Sequence, residues 1–214
     1  MADSDKEPPK GTQTSSFGVS KRENHDSKDF YSRFPPLKQD KESLPESPKT
    51  TNELFAGDSR QMNDVNDNSV ALVVTSPPYF VGKEYELEVG ENGTPANYVE
   101  YLHMLSDVFF ECWRVLEPGG RIAVNVANLG RKPYRSLATD IIRILQDDIG
   151  FLLRGEIIWV KAEGASGSCA WGSFQSASNP VLRDVTERVI VASKLRLDRS
   201  LTRKQREAEG LPYI

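Results

Sequence analysis

The sequence predicts an α/β domain with a largely parallel sheet, carried behind a disordered polar arm. Three observations predict it. Val70-Ala71-Leu72-Val73-Val74 is an unbroken, mostly β-branched apolar run, as suits a strand buried on both faces. Stretches of strand and helix periodicity alternate after it, the rhythm of strands joined by helices. Composition also changes near residue 51. Before that point the chain is Lys, Glu, Asp, Ser and Pro with scattered aromatics, too poor in apolar spacing to offset its ordering entropy by burial. The predicted organisation is a polar arm over 1–51, an α/β domain over 52–194 and a charged segment over 195–214.

Each element has its own signal. Leu54-Phe55-Ala56-Gly57-Asp58 reads as a short strand closing in a turn. The Val70–Val74 strand ends at Thr75-Ser76-Pro77-Pro78-Tyr79, where two prolines forbid further pairing. A polar loop over 82–94 follows. Tyr98, Tyr101, Leu102, Leu105, Val108, Phe109, Cys112 and Leu116 then recur at helical spacing. Pro118-Gly119-Gly120 stops that helix and turns the chain into a strand from Arg121 to Ala127. A second helix carries Leu137, Ala138, Ile141, Ile142 and Leu145 on one face and ends before Gly150. Leu152 to Val160 is a strand, and a Gly/Ser-rich loop runs from Glu163 to about Asn179. Val189-Ile190-Val191-Ala192 is the last strand, and an antiparallel, hairpin-like course is open to it.

Charge and cysteine usage narrow the function classes. Charged residues make up 27% and hydrophobic ones 38%, and the net charge of −4 masks a locally basic end. Lys194, Arg196, Arg199, Arg203, Lys204 and Arg206 are either a solvated tail or contacts for phosphates. The two cysteines, Cys112 and Cys169, have no metal-ligand spacing, so neither a metal site nor a disulfide is expected. Cys112 falls on the apolar helical stripe and His103 on the same helix, both as structural residues. No run reaches membrane-spanning length and no signal-peptide pattern opens the chain. The expectation is a soluble cytoplasmic protein without a membrane partner.

The chemistry is concentrated in Thr75-Ser76-Pro77-Pro78-Tyr79. In open α/β sheets ligands sit beyond the carboxyl ends of strands, which is where this segment lies. Consecutive prolines remove two backbone donors and leave carbonyls as rigid acceptors, to which the Ser76 hydroxyl adds another. Such acceptors can hold an exocyclic amino group by its hydrogens. Tyr79 offers a flat face on which an unstacked base can rest.

These residues resemble the catalytic loop of the beta group of amino DNA methyltransferases. The resemblance runs from Leu54 to about Lys194, roughly two thirds of the chain. Gly57-Asp58-Ser59 resembles that family's short motif near the cofactor adenine. Arg114 to Gly120 resembles a helix-to-strand step common to many such folds. Trp171-Gly172-Ser173 and Asn179 to Asp184, followed by Glu187-Arg188-Val189-Ile190, resemble the family's last catalytic-domain motif.

The resemblance implies an incomplete Rossmann-like fold using S-adenosylmethionine as cofactor and double-stranded DNA as substrate. The product would be a methyl group on N4 of a flipped-out cytosine, because Ser76 stands where adenine-N6 relatives more often have Asp or Asn. Ser76, Pro77, Pro78 and Tyr79 would be catalytic, and Asp58 and Thr75 would face the cofactor. Lys83, Tyr85, Trp171 and Arg183 are candidates for DNA contacts. Lys83 and Tyr85 read equally as a solvated loop, and Trp171 and Phe174 either pack beneath their loop or wall the base pocket. The family's FxGxG turn and target-recognition region find no counterpart, so a truncated or split enzyme is expected, completed by a C-terminal half or a second subunit. Adenine-N6 methylation, methylation of an amide side chain and a non-enzymatic remnant remain as other readings.

Overall fold

Four strands assemble into one sheet in a computed structural model of the chain. It describes residues 33, 39–48, 52–80, 95, 97–128, 133–161, 170–171, 181–182 and 185–211. The fold is that of the unit Lys38–Ile214. Its elements are β1 (Val70–Thr75), α1 (Tyr98–Val115), β2 (Leu116–Val126), α2 (Leu137–Arg143), β3 (Leu152–Val160), β4 (Ala170–Trp171), β5 (Val181–Leu182), β6 (Thr186–Ser193) and α3 (Arg203–Ala208). The main sheet has the order β1-β2-β6-β3, and β4 pairs with β5 in a separate ribbon. β1 lies parallel to β2, whereas β6 is antiparallel to both β2 and β3. Three strands therefore point one way, and the last one returns between two of them. It takes the antiparallel course and separates β2 from β3.

α1 begins where Asn97 caps it, its side chain accepting from the amides of Val99 and Glu100 at 3.0 Å each. Tyr101, Leu102, Leu105, Phe109, Cys112 and Val115 form its buried face. The expected helical spacing thus holds, and Cys112 is core. His103 is on the exposed side of the helix. α2 is capped by Ser136 and runs on into a π-helical turn, Ile144–Ile149, which ends at Gly150 with φ of 92°. Both helices pack on one face of the sheet, against Ile122, Val124 and Val126 of β2 and Ile190 and Ala192 of β6.

No described element covers the other face. Leu72 and Val74 of β1 are 51% and 72% exposed, and Ile157 and Trp159 of β3 are 60% and 53% exposed. Burial of β1 on both faces, expected from its composition, is realised on one face only, because no described element crosses the second.

Three other expectations are corrected. Leu54–Asp58 forms no strand: Leu54 is fully exposed, and the segment bends into a turn in which Asp58 accepts from the Arg60 amide at 2.9 Å. With no strand for it to pair with, two apolar residues are too few to hold an extended segment. Order also reaches back beyond the predicted boundary at residue 51. Residues 39–48 are tied to the domain by the Asp40 amide on the Leu195 carbonyl (3.1 Å) and the Glu46 amide on the Asn68 carbonyl (2.9 Å).

The third concerns Pro118-Gly119-Gly120, which lies within β2 as an irregularity. Val70 pairs with Leu116, and pairing resumes only at Leu72 with Arg121. Gly119 has φ of 81°, and a Cβ there would lie 2.1 Å from the Asp198 carbonyl oxygen, so only glycine admits the returning chain.

That returning chain is the basic end, and much of its charge is used internally. Glu117, buried to 1% exposure, receives Arg199 at 2.6 Å and Arg206 at 2.9 Å. Arg196 donates to the Lys41 carbonyl and to Asp198. The buried Lys194 ammonium donates to Asn68 and to the carbonyls of Arg114 and Leu116, capping the C-terminus of α1. Burial lowers its pKa to about 8. Of the two readings of this end, neither a free tail nor a phosphate surface describes Lys194, Arg199 and Arg206.

Candidate active site

The site forms at the carboxyl end of β1. There Thr75 hands the chain to Ser76, which is exposed, and Pro77, which is buried. Two anchors fix the loop from opposite sides. From α1, the buried Tyr101 hydroxyl donates to the Pro78 carbonyl. Phe80 follows with φ of 56°, an uncommon conformation for a bulky side chain, and stacks on Tyr101 with ring centroids 5.0 Å apart. It also meets Tyr98 edge-on at 5.9 Å. Tyr98 in turn donates to Asp140 at 2.7 Å, and Arg135 grips the same carboxylate at 2.7 and 2.8 Å.

From the sheet, the second anchor holds Tyr79 by its hydroxyl. It receives the Asn125 amide at 3.1 Å, donates to Glu187 at 3.2 Å, and lies 3.1 Å from the Ser76 hydroxyl. Glu187 is buried, accepts Asn125 at 2.5 Å and pairs with the half-exposed Lys161. Burial pushes the Glu187 carboxyl up, but the hydrogen bonds from Lys161 and Asn125, with the Lys161 charge and Tyr79, outweigh it. The group is held below the usual carboxylate range. The Tyr79 phenol is pushed up by burial, which outweighs the opposing hydrogen bond with Ser76, and the Glu187 carboxylate adds to the rise. Tyr79 therefore stays a neutral hydroxyl at physiological pH. The Asn125 side-chain oxygen is buried without a hydrogen-bond partner among the described residues.

Beside the loop opens a cleft of about 460 Å³, between the turn Gly57–Arg60, the end of β1 and one face of α1. Its lining includes Asp58, Thr75, Ser76 and Pro77 with Met104, Val108 and Phe109. The volume falls within the range of small-molecule sites, roughly 300–1,000 Å³. An apolar wall for a flat ring and a rim of carboxylate and hydroxyl oxygens fit an adenosyl group. Asp58 is held below the usual carboxylate range by the hydrogen bond from Arg60, its exposed partner at 2.6 Å.

The structure thus brings together Asp58, Thr75, Ser76, Pro77 and Pro78 around one cleft and places Tyr79 beside it. Lys83, Tyr85 and Arg183 lie outside the described residues, as do Cys169 and Phe174, and of Trp171 only the backbone is described. Sequence reasoning overlooked Asn125, Lys161, Tyr101 and Phe80, and it noted Glu187 only as part of a motif. Asn125 had a signal, a lone amide inside the apolar run Ile122–Val126. Among the described residues no group of three His, Cys, Asp or Glu is placed to hold a metal, and no helix is long and apolar enough to cross a membrane.

Comparison with known proteins identifies the family and the fold. The sequence profile of the N6/N4 methyltransferase family, described as DNA methylase, matches residues 70–206. The type II methyltransferase M.MjaVI of Methanocaldococcus jannaschii is 32% identical over 132 residues, which are 61% of this chain and 65% of that protein. M.HpaI of Haemophilus parainfluenzae is 32% identical over 105 residues, 49% of this chain and 30% of that one. The chain thus spans less than two thirds of either relative.

Among solved structures, the Thermus thermophilus protein TTHA0409, a candidate DNA modification methylase complexed with S-adenosyl-L-methionine, superposes with a TM-score of 0.50 at 28% identity. The match covers 73% of this chain and 61% of that one. The cytosine-N4-specific PvuII DNA methyltransferase shares the fold with a TM-score of 0.51 at 20% identity, over 74% of this chain and 54% of that one. With an α/β sheet, a proline-rich loop at a strand's carboxyl end and a profile match over most of its length, this chain belongs to the N6/N4 DNA methylase family.

Proposed function

We propose that this chain carries the base-holding part of an S-adenosylmethionine-dependent DNA methyltransferase that modifies N4 of cytosine. The observation that supports it most is the Ser76–Tyr79 loop, anchored on both sides and opening onto the cleft that holds Asp58 and Thr75. When bound, S-adenosylmethionine supplies an electrophilic methyl group. Asp58 and Thr75 at the rim would hold its adenosyl part, and Met104, Val108 and Phe109 would supply the apolar wall.

The target base leaves the duplex, since its amino group is otherwise engaged in pairing. It rests on Tyr79, and its amino hydrogens bond to the Ser76 hydroxyl and the Pro77 carbonyl. The Pro78 carbonyl is already taken by Tyr101, which leaves the preceding carbonyl to the substrate. Holding both hydrogens turns the nitrogen lone pair toward the cleft. No residue forms a covalent bond with the base. The rate comes from alignment, which contributes roughly 7–11 kcal/mol in well-oriented reactions. Relatives named as type II methyltransferases support a restriction–modification setting for the activity.

The family profile embraces both N6 and N4 chemistry, so the test must resolve the base. Unmethylated DNA is incubated with the protein and methyl-labelled S-adenosylmethionine, then digested to nucleosides. Labelled N4-methyldeoxycytidine, absent with Tyr79→Ala, is the expected result. Label in N6-methyldeoxyadenosine overturns the base assignment, and undiminished transfer by Tyr79→Ala overturns the role of the loop.

A further inference from the structure

The two anchors of the proline loop are built alike. In each, a tyrosine hydroxyl donates to a carboxylate, and that carboxylate holds a cation. Tyr98, Asp140 and Arg135 form one set, and Tyr79, Glu187 and Lys161 form the other. The carboxylates lie deep, with Asp140 9% and Glu187 5% exposed. The cations stand outward, since the side chains of Arg135 and Lys161 are 54% and 48% exposed. Burying a carboxylate costs free energy that its pairing recovers only in good geometry. A neutral acceptor would suffice to hold each tyrosine. What the ionic form adds is a positive charge fixed at the surface, with its counter-charge sunk beneath.

Topology puts both cations at the end of the sheet where the loop begins. Thr75, closing β1, pairs with Val124 of β2. Val126, closing β2, pairs with Arg188, and Val160, closing β3, pairs with Thr186. Lys161 therefore follows β3 at the same end from which Ser76–Tyr79 leave β1. Arg135 belongs to the connection that leaves β2 there, and Asn128 ties that connection together by accepting the Ala138 amide at 3.0 Å. The Arg135 guanidinium also lies over the Tyr98 ring, 5.0 Å from its centroid. Its grip on Asp140 uses Nε and Nη2, one edge of a fork that carries five N–H donors.

We infer that Arg135 and Lys161 form a phosphate clamp, taking the two backbone phosphates that flank the flipped-out nucleotide. The inference rests on the methylase reading and adds the residues that hold the strand carrying the target. Extruding a nucleotide swings it about its own backbone, so the flanking phosphates fix where the base arrives. Cations already held in place meet those phosphates with little further ordering cost. Two fixed, half-exposed cations, one on each anchor of the base-holding loop, fit a polyanionic strand. Each carboxylate also holds a loop tyrosine, so a phosphate drawn to either cation bears on the loop through that shared carboxylate.

The test uses the 214-residue chain and a short fluorescent duplex with one mismatched cytosine, whose binding is followed by anisotropy over a range of salt. Each phosphate neutralised contributes about 0.9 to the slope of log affinity against log salt. Arg135→Gln and Lys161→Gln should each lower the slope by about that amount, and the double variant by about twice as much. Arg135→Lys and Lys161→Arg keep the charge and should keep the slope. Arg135→Gln combined with Asp140→Asn removes cation and carboxylate together, which leaves no buried charge unpaired, and it should show the same drop. An unchanged slope in the Gln variants overturns the inference. Affinity lost at constant slope is the mark of a structural role and overturns it too. A drop shared by the charge-keeping variants has the same consequence, as does a folded chain that binds no DNA. A lowered slope without methyl transfer leaves the clamp standing against the proposed reaction, and transfer with an unmoved slope does the reverse.

Discussion

At the scale of single residues, the site depends on how Tyr79 is held. Its hydroxyl joins Ser76, Asn125 and Glu187, residues from the loop and from two neighbouring strands. Tyr79→Phe keeps the ring but removes that junction. It should cost about 1–2 kcal/mol of stability, measured by urea unfolding, and should slow transfer more than it weakens base binding. Glu187 supplies a pH test. Its folded-state pKa is held below the usual carboxylate value, so as pH falls the unfolded chain binds a proton before the folded one does. Its contribution is therefore complete at neutral pH and lost as pH falls through the acidic range. Glu187→Gln should flatten the acid limb of a Tm-against-pH profile; an unchanged limb would remove this carboxylate from the anchor.

At the scale of elements, the cluster around Glu117 decides whether the end of the chain stays in place. Glu117→Gln leaves the Arg199 and Arg206 guanidinium groups without their carboxylate in a largely buried setting. The expected loss is about 3–5 kcal/mol, read as a drop in Tm, with residues 198–211 losing amide protection first. This cluster also shows where sequence reading stopped. α1 was legible because its apolar spacing and its Asn97 cap are local. The proline loop was legible because two prolines end an apolar strand. Arg199 and Arg206 look like surface charges until their partner is known, and Glu117 lies 82 and 89 residues away. Local composition carries no record of such a pairing. The same limit explains Leu54–Asp58, where a strand needed a neighbour that the fold does not provide.

At the scale of the whole molecule, α1 and α2 cover one side of the sheet, no described element crosses the other, and the cleft stands at the end of β1. Asp58, Thr75 and the proline loop were legible as parts of one site because their order matches the family's motifs. The face that no described element covers was not, since an apolar strand reads the same whether or not its second face is covered. Both features bear on one claim, that the methyl donor sits between the end of β1 and α1, next to the loop that holds the base. The most direct measurement is the titration of S-adenosylmethionine into the isotopically labelled chain, followed by amide NMR shifts, which register weak as well as tight binding. Saturable shifts concentrated at Asp58–Arg60, Thr75–Ser76 and Met104–Phe109 are predicted. Shifts elsewhere in the sheet, or none in a folded chain, would contradict it.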